Sequence, residues 1–404
     1  MKIEIKPSTL CGDIIAPPSK SIAHRFLICG ALSRGECRIN GVSESEDMKA
    51  TIGCLSSLGA NVQREGDTVT IFCGLTPQKE VTLDCIESGS TLRFMIPVAL
   101  ASGAKKITFK GSERLIARGV EVYKEVFADK GVRIEKDKNE IVVSGTLESG
   151  NYVLRGDASS QYATGLMLSL ATLNSDSTIE ILPPVESRPY IDMTIAVLEK
   201  FGVKIEETEK NKFFVKGGQR FASGAYDVEG DWSNGAILFA LNAFGSNVAG
   251  LDENSVQGDK VCVEIFRALE KGDATIDLSD CPDLAPIAFV VAAEKNGATF
   301  TGTERLKIKE SDRAAGGGAA VMAEELAKFG ARVDVFDDYV VVHKAELHAS
   351  SKEIRSHNDH RIAMSLAVLM TKYGGVLDGA EAVKKSFPDF FDVMKRAGAK
   401  VYEI

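Results

Sequence analysis

Leu58-Gly59-Ala60-Asn61-Val62 closes a helix-like run with a glycine and passes at once into an alternating strand, and the same grammar returns five more times. The returns are Lys130-Gly131-Val132-Arg133-Ile134, Phe201-Gly202-Val203-Lys204-Ile205, Lys271-Gly272-Asp273-Ala274-Thr275-Ile276, Phe329-Gly330-Ala331-Arg332-Val333 and Ala397-Gly398-Ala399-Lys400-Val401. A glycine just past a helix end supplies the left-handed conformation that stops the helix, and period-two alternation after it marks a strand with one wet face. The glycines fall 72, 71, 70, 58 and 68 residues apart. Units of that size are too long for a solenoid and suit a small βαβ-containing module. The sequence therefore predicts an α/β architecture of six related units.

A single core rarely grows past roughly 250 to 300 residues, so a chain of 404 predicts two domains of three units rather than one ring. The crossing falls between Tyr226 and Gly230, after the third unit, and the early strand from Lys2 to Ile5 is compatible with either domain. A cleft between two such domains is a usual place for a small-molecule site.

Composition narrows the function classes. With 44% hydrophobic and 26% charged residues the chain reads as an ordinary globular enzyme, and a formal charge of −9 argues against a general nucleic-acid binder, which needs net basic surface. Eight cysteines occur without a CxxC pair, so zinc and redox spacings are missing and a reducing cytoplasm is the natural setting. The opening Met-Lys-Ile-Glu-Ile-Lys-Pro lacks the apolar core of a signal peptide, and no stretch approaches the ~20 apolar residues of a membrane span.

Against that acidic background, positive charge gathers at helix starts. Pro17-Pro18-Ser19-Lys20-Ser21-Ile22-Ala23-His24-Arg25 precedes an apolar run, with Ser19 or Ser21 placed to cap. A helix N-terminus already favours anions, and Lys20, Ser21 and Arg25 add a point charge, a hydroxyl and a fork suited to phosphate or carboxylate oxygens. One such site would more often be a solvated cap, but others follow. Glu87-Ser88-Gly89-Ser90-Thr91-Leu92-Arg93 lets backbone amides approach a ligand closely, although read alone it is equally a structural cap with Arg93 solvated. Gly111 to Arg118 adds Arg114 and Arg118, which in isolation would be surface charges. Ser159-Ser160-Gln161 and Ser187-Arg188-Pro189-Tyr190-Ile191-Asp192 each open a further helix, and Asp231-Trp232-Ser233-Asn234 repeats the pattern in an acidic key.

In the second half, Pro282-Asp283-Leu284-Ala285-Pro286 sets a carboxylate before an apolar helix, either an N-cap or a candidate base. Alternation from Arg305 to Lys309 predicts a strand with its basic side chains on one face, ending at Glu310-Ser311-Asp312-Arg313. His357-Asn358-Asp359-His360-Arg361 opens another apolar helix. Its two histidines lack the partners of a zinc site and rank below anion binding. Lys384-Lys385-Ser386-Phe387-Pro388-Asp389 closes the sixth unit.

Taken together and in order, these motifs resemble the 5-enolpyruvylshikimate-3-phosphate synthases, of the enolpyruvyl transferase family. The resemblance runs the whole length, through Pro-Ser-Lys-Ser with His24-Arg25, Ser159-Ser160-Gln161, Pro189-Tyr190-Ile191-Asp192, Pro282 to Pro286, Lys309 to Arg313, Asn358 to Arg361 and Phe387-Pro388-Asp389. It implies a two-domain fold, each domain three βαβαββ units, with the active site in the interdomain cleft. The first domain would be residues 14–229, and residues 1–13 with 230–404 the second. It implies transfer of the enolpyruvyl group of phosphoenolpyruvate to the 5-hydroxyl of shikimate 3-phosphate with release of phosphate, without metal or organic cofactor, by a cytoplasmic monomer that binds neither nucleic acid nor membrane. By the same resemblance Lys20, Ser21, Arg25, Ser159, Ser160, Gln161, Ser187 and Asp283 hold shikimate 3-phosphate. Lys20, Gly89, Arg118, Gln161, Arg313, Arg361 and Lys385 surround phosphoenolpyruvate. Asp283 would take the hydroxyl proton and Glu310 the proton moving at the methylene carbon, with Lys20 assisting.

Three departures stand out. Glu87 replaces the family's usual asparagine, Gly119 replaces a usual proline and loosens that loop, and the glycine-rich run from Ala314 to Val321 predicts a flexible, slightly lengthened segment beside Arg313. A sister transferase acting on UDP-N-acetylglucosamine typically carries a cysteine in the loop that aligns with Gly111 to Gly119, and none is present. A noncatalytic anion binder would gain nothing from Asp283 and Glu310 in a cationic site. The bare Gly89 leaves room for glyphosate, a phosphonate that resembles phosphoenolpyruvate, so inhibition at low concentration is expected.

Overall fold

The computed structural model describes residues 1–242, 246–307 and 317–404. The chain divides into two compact units, one of Pro18–Glu229 and one of Met1–Pro17 with Gly230–Ile404. The N-terminal segment stays with the second unit four residues further than expected, because strand Gly12–Ile15 pairs in parallel with Ser246–Ala249. The Ala16 amide then donates to the Ala249 carbonyl at 2.9 Å and the Asp231 amide to the Pro17 carbonyl at 2.8 Å, so the chain leaves only at Pro18.

Within Pro18–Glu229 lie three four-stranded sheets on one plan. Their orders are Gly224–Asp227, Cys37–Asn40, Thr68–Cys73, Asn61–Glu65; then Glu80–Asp84, Lys106–Lys110, Glu140–Ser144, Arg133–Lys136; then Asn151–Arg155, Ser177–Leu182, Lys212–Val215, Ile205–Glu209. In each, the first pair is parallel and the other two are antiparallel. A parallel pair needs a crossover, which a helix supplies, whereas the antiparallel pair closes as a hairpin. The other unit repeats the plan twice, in Ala274–Asp277, Gly297–Thr301, Tyr339–His343, Val333–Val335 and in Ile354–Arg355, Gly375–Asp378, Lys2–Lys6, Lys400–Glu403.

All six repeat glycines take the left-handed conformation expected of them, with φ of +88, +69, +75, +88, +92 and +98 at Gly59, Gly131, Gly202, Gly272, Gly330 and Gly398. Five of them lead into an edge strand that pairs antiparallel with its neighbour, four as a hairpin and Lys400–Glu403 with Lys2–Lys6 from the other end of the chain. Gly272 does not. Helix Cys262–Lys271 passes through Gly272 and Asp273 straight to Ala274–Asp277, the strand that opens the following sheet. Among the described residues, the sheet of Gly12–Ile15 and Ser246–Ala249 therefore has two strands and no hairpin. This accounts for the single short interval of 58 residues between repeat glycines.

Each unit has its own apolar core, with Phe26, Phe94, Tyr123 and Phe201 in one and Phe289, Phe300, Phe329 and Phe390 in the other. Helices Gly89–Ala101, Gln161–Leu170, Ala285–Glu294 and His360–Tyr373 are buried along almost their whole length, while the strands alternate. Helices apolar all round belong in an interior, so their polar N-terminal turns are the parts left to meet a ligand. The strand expected from Arg305 to Lys309 is absent over its described part: Glu304–Lys307 is a 3-10 turn closed by the Leu306 amide on the Thr303 carbonyl at 3.0 Å. Leu306 is its one apolar residue and is buried, and a single anchor favours a turn over a strand that needs a whole face to pack.

Candidate active site

In Pro18–Glu229 the first helix, Lys20–Leu32, has Ser19 at its cap position, and of the two serines expected to cap, Ser19 or Ser21, the Ser19 side chain makes no capping hydrogen bond. Lys20 Nζ instead reaches across to Asp47 Oδ2 on helix Glu46–Ser57 at 2.8 Å, with both side chains 12% exposed. Asp47 was invisible in the sequence because acidic residues in a first turn are commonplace. Arg25 is buried, and four of its five N–H donors are engaged. Its Nε donates to Thr194 Oγ1 at 2.9 Å, Nη1 to the Ser21 carbonyl at 2.6 Å, and Nη2 to the Tyr190 carbonyl at 3.1 Å and Thr164 Oγ1 at 3.3 Å. Burial lowers its pKa to about 10, which leaves it charged at neutral pH. Arg25 thus braces three helices, Lys20–Leu32, Gln161–Leu170 and Arg188–Lys200, beside the half-buried Ser21.

Gly89 opens the third helix, with Ser88 as its cap accepting the Thr91 amide. A Cβ at Gly89 would lie 2.8 Å from Arg93 Nη1 and 3.3 Å from Arg118 Nη1, so two guanidinium groups crowd this turn. Arg93 is buried rather than solvated, donating from Nη1 to the Gly89 carbonyl at 3.2 Å and to Gln161 Oε1 at 3.1 Å. Gln161 completes the circuit by donating from Nε2 to Ser90 Oγ at 2.9 Å. These contacts gather Gly89, Arg118 and Gln161 without any partner far in sequence having been legible. Gly119, expected to loosen the loop, has φ +66 and ψ −172 as the cap of helix Glu113–Arg118. Proline is locked near φ −65 and could not adopt it, so the glycine belongs to a defined turn that ends at Arg118.

Ser159 and Ser160 are half-buried at the start of helix Gln161–Leu170, where Ser159 Oγ accepts the Gln161 amide at 3.4 Å and Ser160 makes no side-chain cap. Ser187 is buried, with φ +56 and ψ +37, a left-handed conformation that a serine adopts only when its surroundings impose it. The neighbouring Arg188 is itself held in place, bound to Asp192 at 2.7 Å and to Glu207 at 2.8 and 2.6 Å.

In the other unit, Asp283 stands in the 3-10 turn Pro282–Leu284, and its Oδ2 accepts Arg361 Nη2 at 2.5 Å, with the side chains 11% and 16% exposed. Asp359 caps helix His360–Tyr373 by accepting the Arg361 and Ile362 amides, which fixes where the arginine leaves the helix. Lys385 Nζ donates to the Asn358 carbonyl at 2.7 Å, and Asn358 has φ +56. Asp283, Arg361 and Lys385 are thereby gathered round one turn. A small pocket beside them is lined by Pro282, Phe289, Leu306, Gly318, Asp359 and Arg361. Glu310 and Arg313 lie outside the described residues. Of the glycine-rich run from Ala314 to Val321, residues 317–321 are described, and they begin helix Gly317–Ala327 rather than a loop.

The histidine pair does not act together. His357 Nε2 meets Glu325 Oε1 at 2.9 Å, and Lys328 Nζ stands 2.7 Å from both oxygens of that buried carboxylate. Burial alone would raise the Glu325 pKa, but the hydrogen bonds from His357, Lys328 and the Arg355 amide outweigh it and lower the value. Although Glu324, Glu325 and His357 could converge on an ion, the lysine ammonium already occupies the cation's place.

One titration follows for stability. His24 is buried, and desolvation pushes its pKa down to about 3. Between about pH 6.5, where an unfolded histidine protonates, and that lower value, the unfolded chain binds a proton that the folded chain does not. Stability from this group is full above pH 6.5 and should fall by about 1.4 kcal/mol per unit as the pH drops through that window. Urea unfolding at pH 7, 6 and 5 should show a flatter decline in His24→Asn than in the parent; equal slopes would contradict it.

The comparisons with known proteins agree along the full length. The family model for EPSP synthase (3-phosphoshikimate 1-carboxyvinyltransferase) matches residues 5–394. The 3-phosphoshikimate 1-carboxyvinyltransferase of Clostridium novyi (strain NT) is 38% identical over 435 aligned positions, covering 99% of this chain and 98% of that protein. The protein of the same name from Clostridioides difficile (strain 630) is 36% identical over 436 positions, with 99% and 98% covered. Among solved structures, EPSP synthase from Acinetobacter baumannii superposes with a TM-score of 0.80 at 23% identity over 100% of both chains, which speaks to the fold.

Proposed function

This chain belongs to the EPSP synthase (3-phosphoshikimate 1-carboxyvinyltransferase) family, and from that premise we propose how its residues divide the work. The reaction is transfer of the enolpyruvyl group of phosphoenolpyruvate to shikimate 3-phosphate, in the shikimate pathway of aromatic amino-acid biosynthesis. We read each compact unit as three βαβαββ units, one of them without its hairpin. The support is the plan common to five sheets and the two-stranded sixth.

Both substrates are polyanions, so they must be brought together against their repulsion and held in reacting geometry. Shikimate 3-phosphate is assigned to Lys20, Ser21, Arg25, Ser159, Ser160, Gln161, Ser187 and Asp283, with Arg25 also bracing the helices that present several of them. Phosphoenolpyruvate is assigned to Lys20, Gly89, Arg118, Gln161, Arg313, Arg361 and Lys385. Asp283 accepts the proton of the 5-hydroxyl as its oxygen bonds to C2 of phosphoenolpyruvate, while C3 gains a proton. Loss of that C3 proton and cleavage of the C2–O bond to phosphate then release the product, with Glu310 and Lys20 handling protons at that end.

The observation that carries the assignment of the base is the ion pair of Asp283 with Arg361. The arginine N–H fixes the direction in which the carboxylate oxygens point, as a positioned proton acceptor requires. Phosphate release from phosphoenolpyruvate, measured with and without shikimate 3-phosphate, tests the reading, and release that needs only one substrate would refute it. The unpaired state of all eight cysteines supports a reducing cytoplasm as its setting. Glyphosate should inhibit at low concentration and compete with phosphoenolpyruvate, because the bare Gly89 faces two guanidinium groups. Unimpaired turnover at saturating glyphosate would count against this.

A further inference from the structure

Two contacts between the first two helices are built as successive rungs. Lys20 and Asp47 form one, at 2.8 Å, and His24 Nδ1 with Thr51 Oγ1 forms the other, at 2.7 Å. Each partner of the second rung lies four residues after its counterpart in the first, one helical turn deeper. The inner rung continues: Thr51 Oγ1 meets Thr91 Oγ1 at 2.7 Å, and Thr91 Oγ1 donates to Ser88 Oγ at 2.8 Å. His24, Thr51, Thr91 and Ser88 are all at most 1% exposed.

We propose that His24 is a positioning residue for the Gly89 turn. Held as the Nδ1–H tautomer, it heads a one-way hydrogen-bond chain through Thr51 and Thr91 to Ser88 that fixes the turn against the Lys20–Asp47 pair. This rests on the reading that Gly89 meets phosphoenolpyruvate.

A hydroxyl has one hydrogen to give, which sets the direction of the chain. Thr91 spends its hydrogen on Ser88 and so accepts from Thr51; Thr51 spends its own on Thr91 and so accepts from His24. The imidazole must then carry its hydrogen on Nδ1. Its Nε2 agrees with this, being buried with no hydrogen-bond partner. An orphaned N–H there would be the rarer and costlier arrangement. The ring is held edge-on to Phe94, with centroids 6.1 Å apart, and burial keeps it neutral at physiological pH, so Nε2 carries no hydrogen that would lack a partner. At the far end, Ser88 caps the helix that Gly89 opens, and the next residue, Ser90, accepts from Gln161. The chain of hydroxyls thus ties the helix that carries Lys20 to the turn that carries Gly89, beside the contacts of Asp47 and Gln161.

The test combines nitrogen-15 spectra of histidine-labelled protein, with the His24 signal assigned by its loss in His24→Gln, and steady-state kinetics of Thr51→Val and Thr51→Ser. The parent should show a pyrrole-type Nδ1 and a pyridine-type Nε2 at His24; the reverse overturns the proposal. Thr51→Val should raise KM for phosphoenolpyruvate roughly tenfold, about what one buried hydrogen bond is worth, with KM for shikimate 3-phosphate little changed. Thr51→Ser, which keeps the hydroxyl, should restore the parent value. Equal increases for both substrates, or no rescue by serine, would mean a merely structural role. The premise is checked separately by the Gly89 amide resonance, which should move when phosphoenolpyruvate is added; a signal that stays put overturns the proposal through its premise.

Discussion

Asp283→Asn is expected to lower kcat by roughly two to four orders of magnitude, the range that a positioned general base contributes. Asparagine matches the carboxylate in size and can still accept the Arg361 N–H through its amide oxygen, so the turn and the arginine should stay in place. What it cannot do is take the hydroxyl proton. Loss of kcat with KM values nearly unchanged would identify a group needed in the transition state rather than for binding. Single-turnover quenching should show both substrates bound and unreacted. A variant retaining more than about a tenth of the parent kcat would remove Asp283 from the role of base.

Lys20→Met should be almost as damaging, with kcat/KM for phosphoenolpyruvate falling roughly a hundred- to a thousandfold, as when one preorganised electrostatic partner of the transition state is removed. Methionine keeps the length and apolar stem but leaves Asp47 in a mostly buried place without its ammonium partner. That should also cost about 1 to 3 kcal/mol of stability. The two effects can be separated. In the double variant Lys20→Met, Asp47→Asn the carboxylate's charge is removed as well, so the unfolding midpoint should recover while activity does not. Recovery of both would show that the lysine serves the fold alone.

Much of this could be read from the chain because helix ends and turns are written in neighbouring residues. The six glycines announced their left-handed turns, and each cluster of hydroxyls and cations announced a helix start. What stayed hidden was every pairing across distance. Asp47 opposite Lys20, Arg93 against Gln161, and Arg25 spanning three helices depend on which faces the packing brings together, and no local pattern encodes that. The error at Arg305 to Lys307, the described part of the expected strand, arose from alternation without enough apolar residues to make a face. At Gly119 the substitution looked like a loss of stiffness because its φ was unknown. The short fourth interval was visible as a number, but only the sheets gave it a cause.

The bare pair of strands Gly12–Ile15 and Ser246–Ala249 carries a lesson about what this architecture can spare. A hairpin leaves the body of a fold and returns to nearly the same point, so cutting it out brings two neighbouring ends together and asks no other segment to reroute. A helix or a crossover strand cannot be excised that way, since its ends lie on opposite sides of a layer. At the junction Gly272, with φ +88 like the other repeat glycines, is followed by Asp273 at φ +50, and the two turn the chain directly into the next strand. In a protein assembled from copies of one motif, the editable part is the piece whose beginning and end already touch.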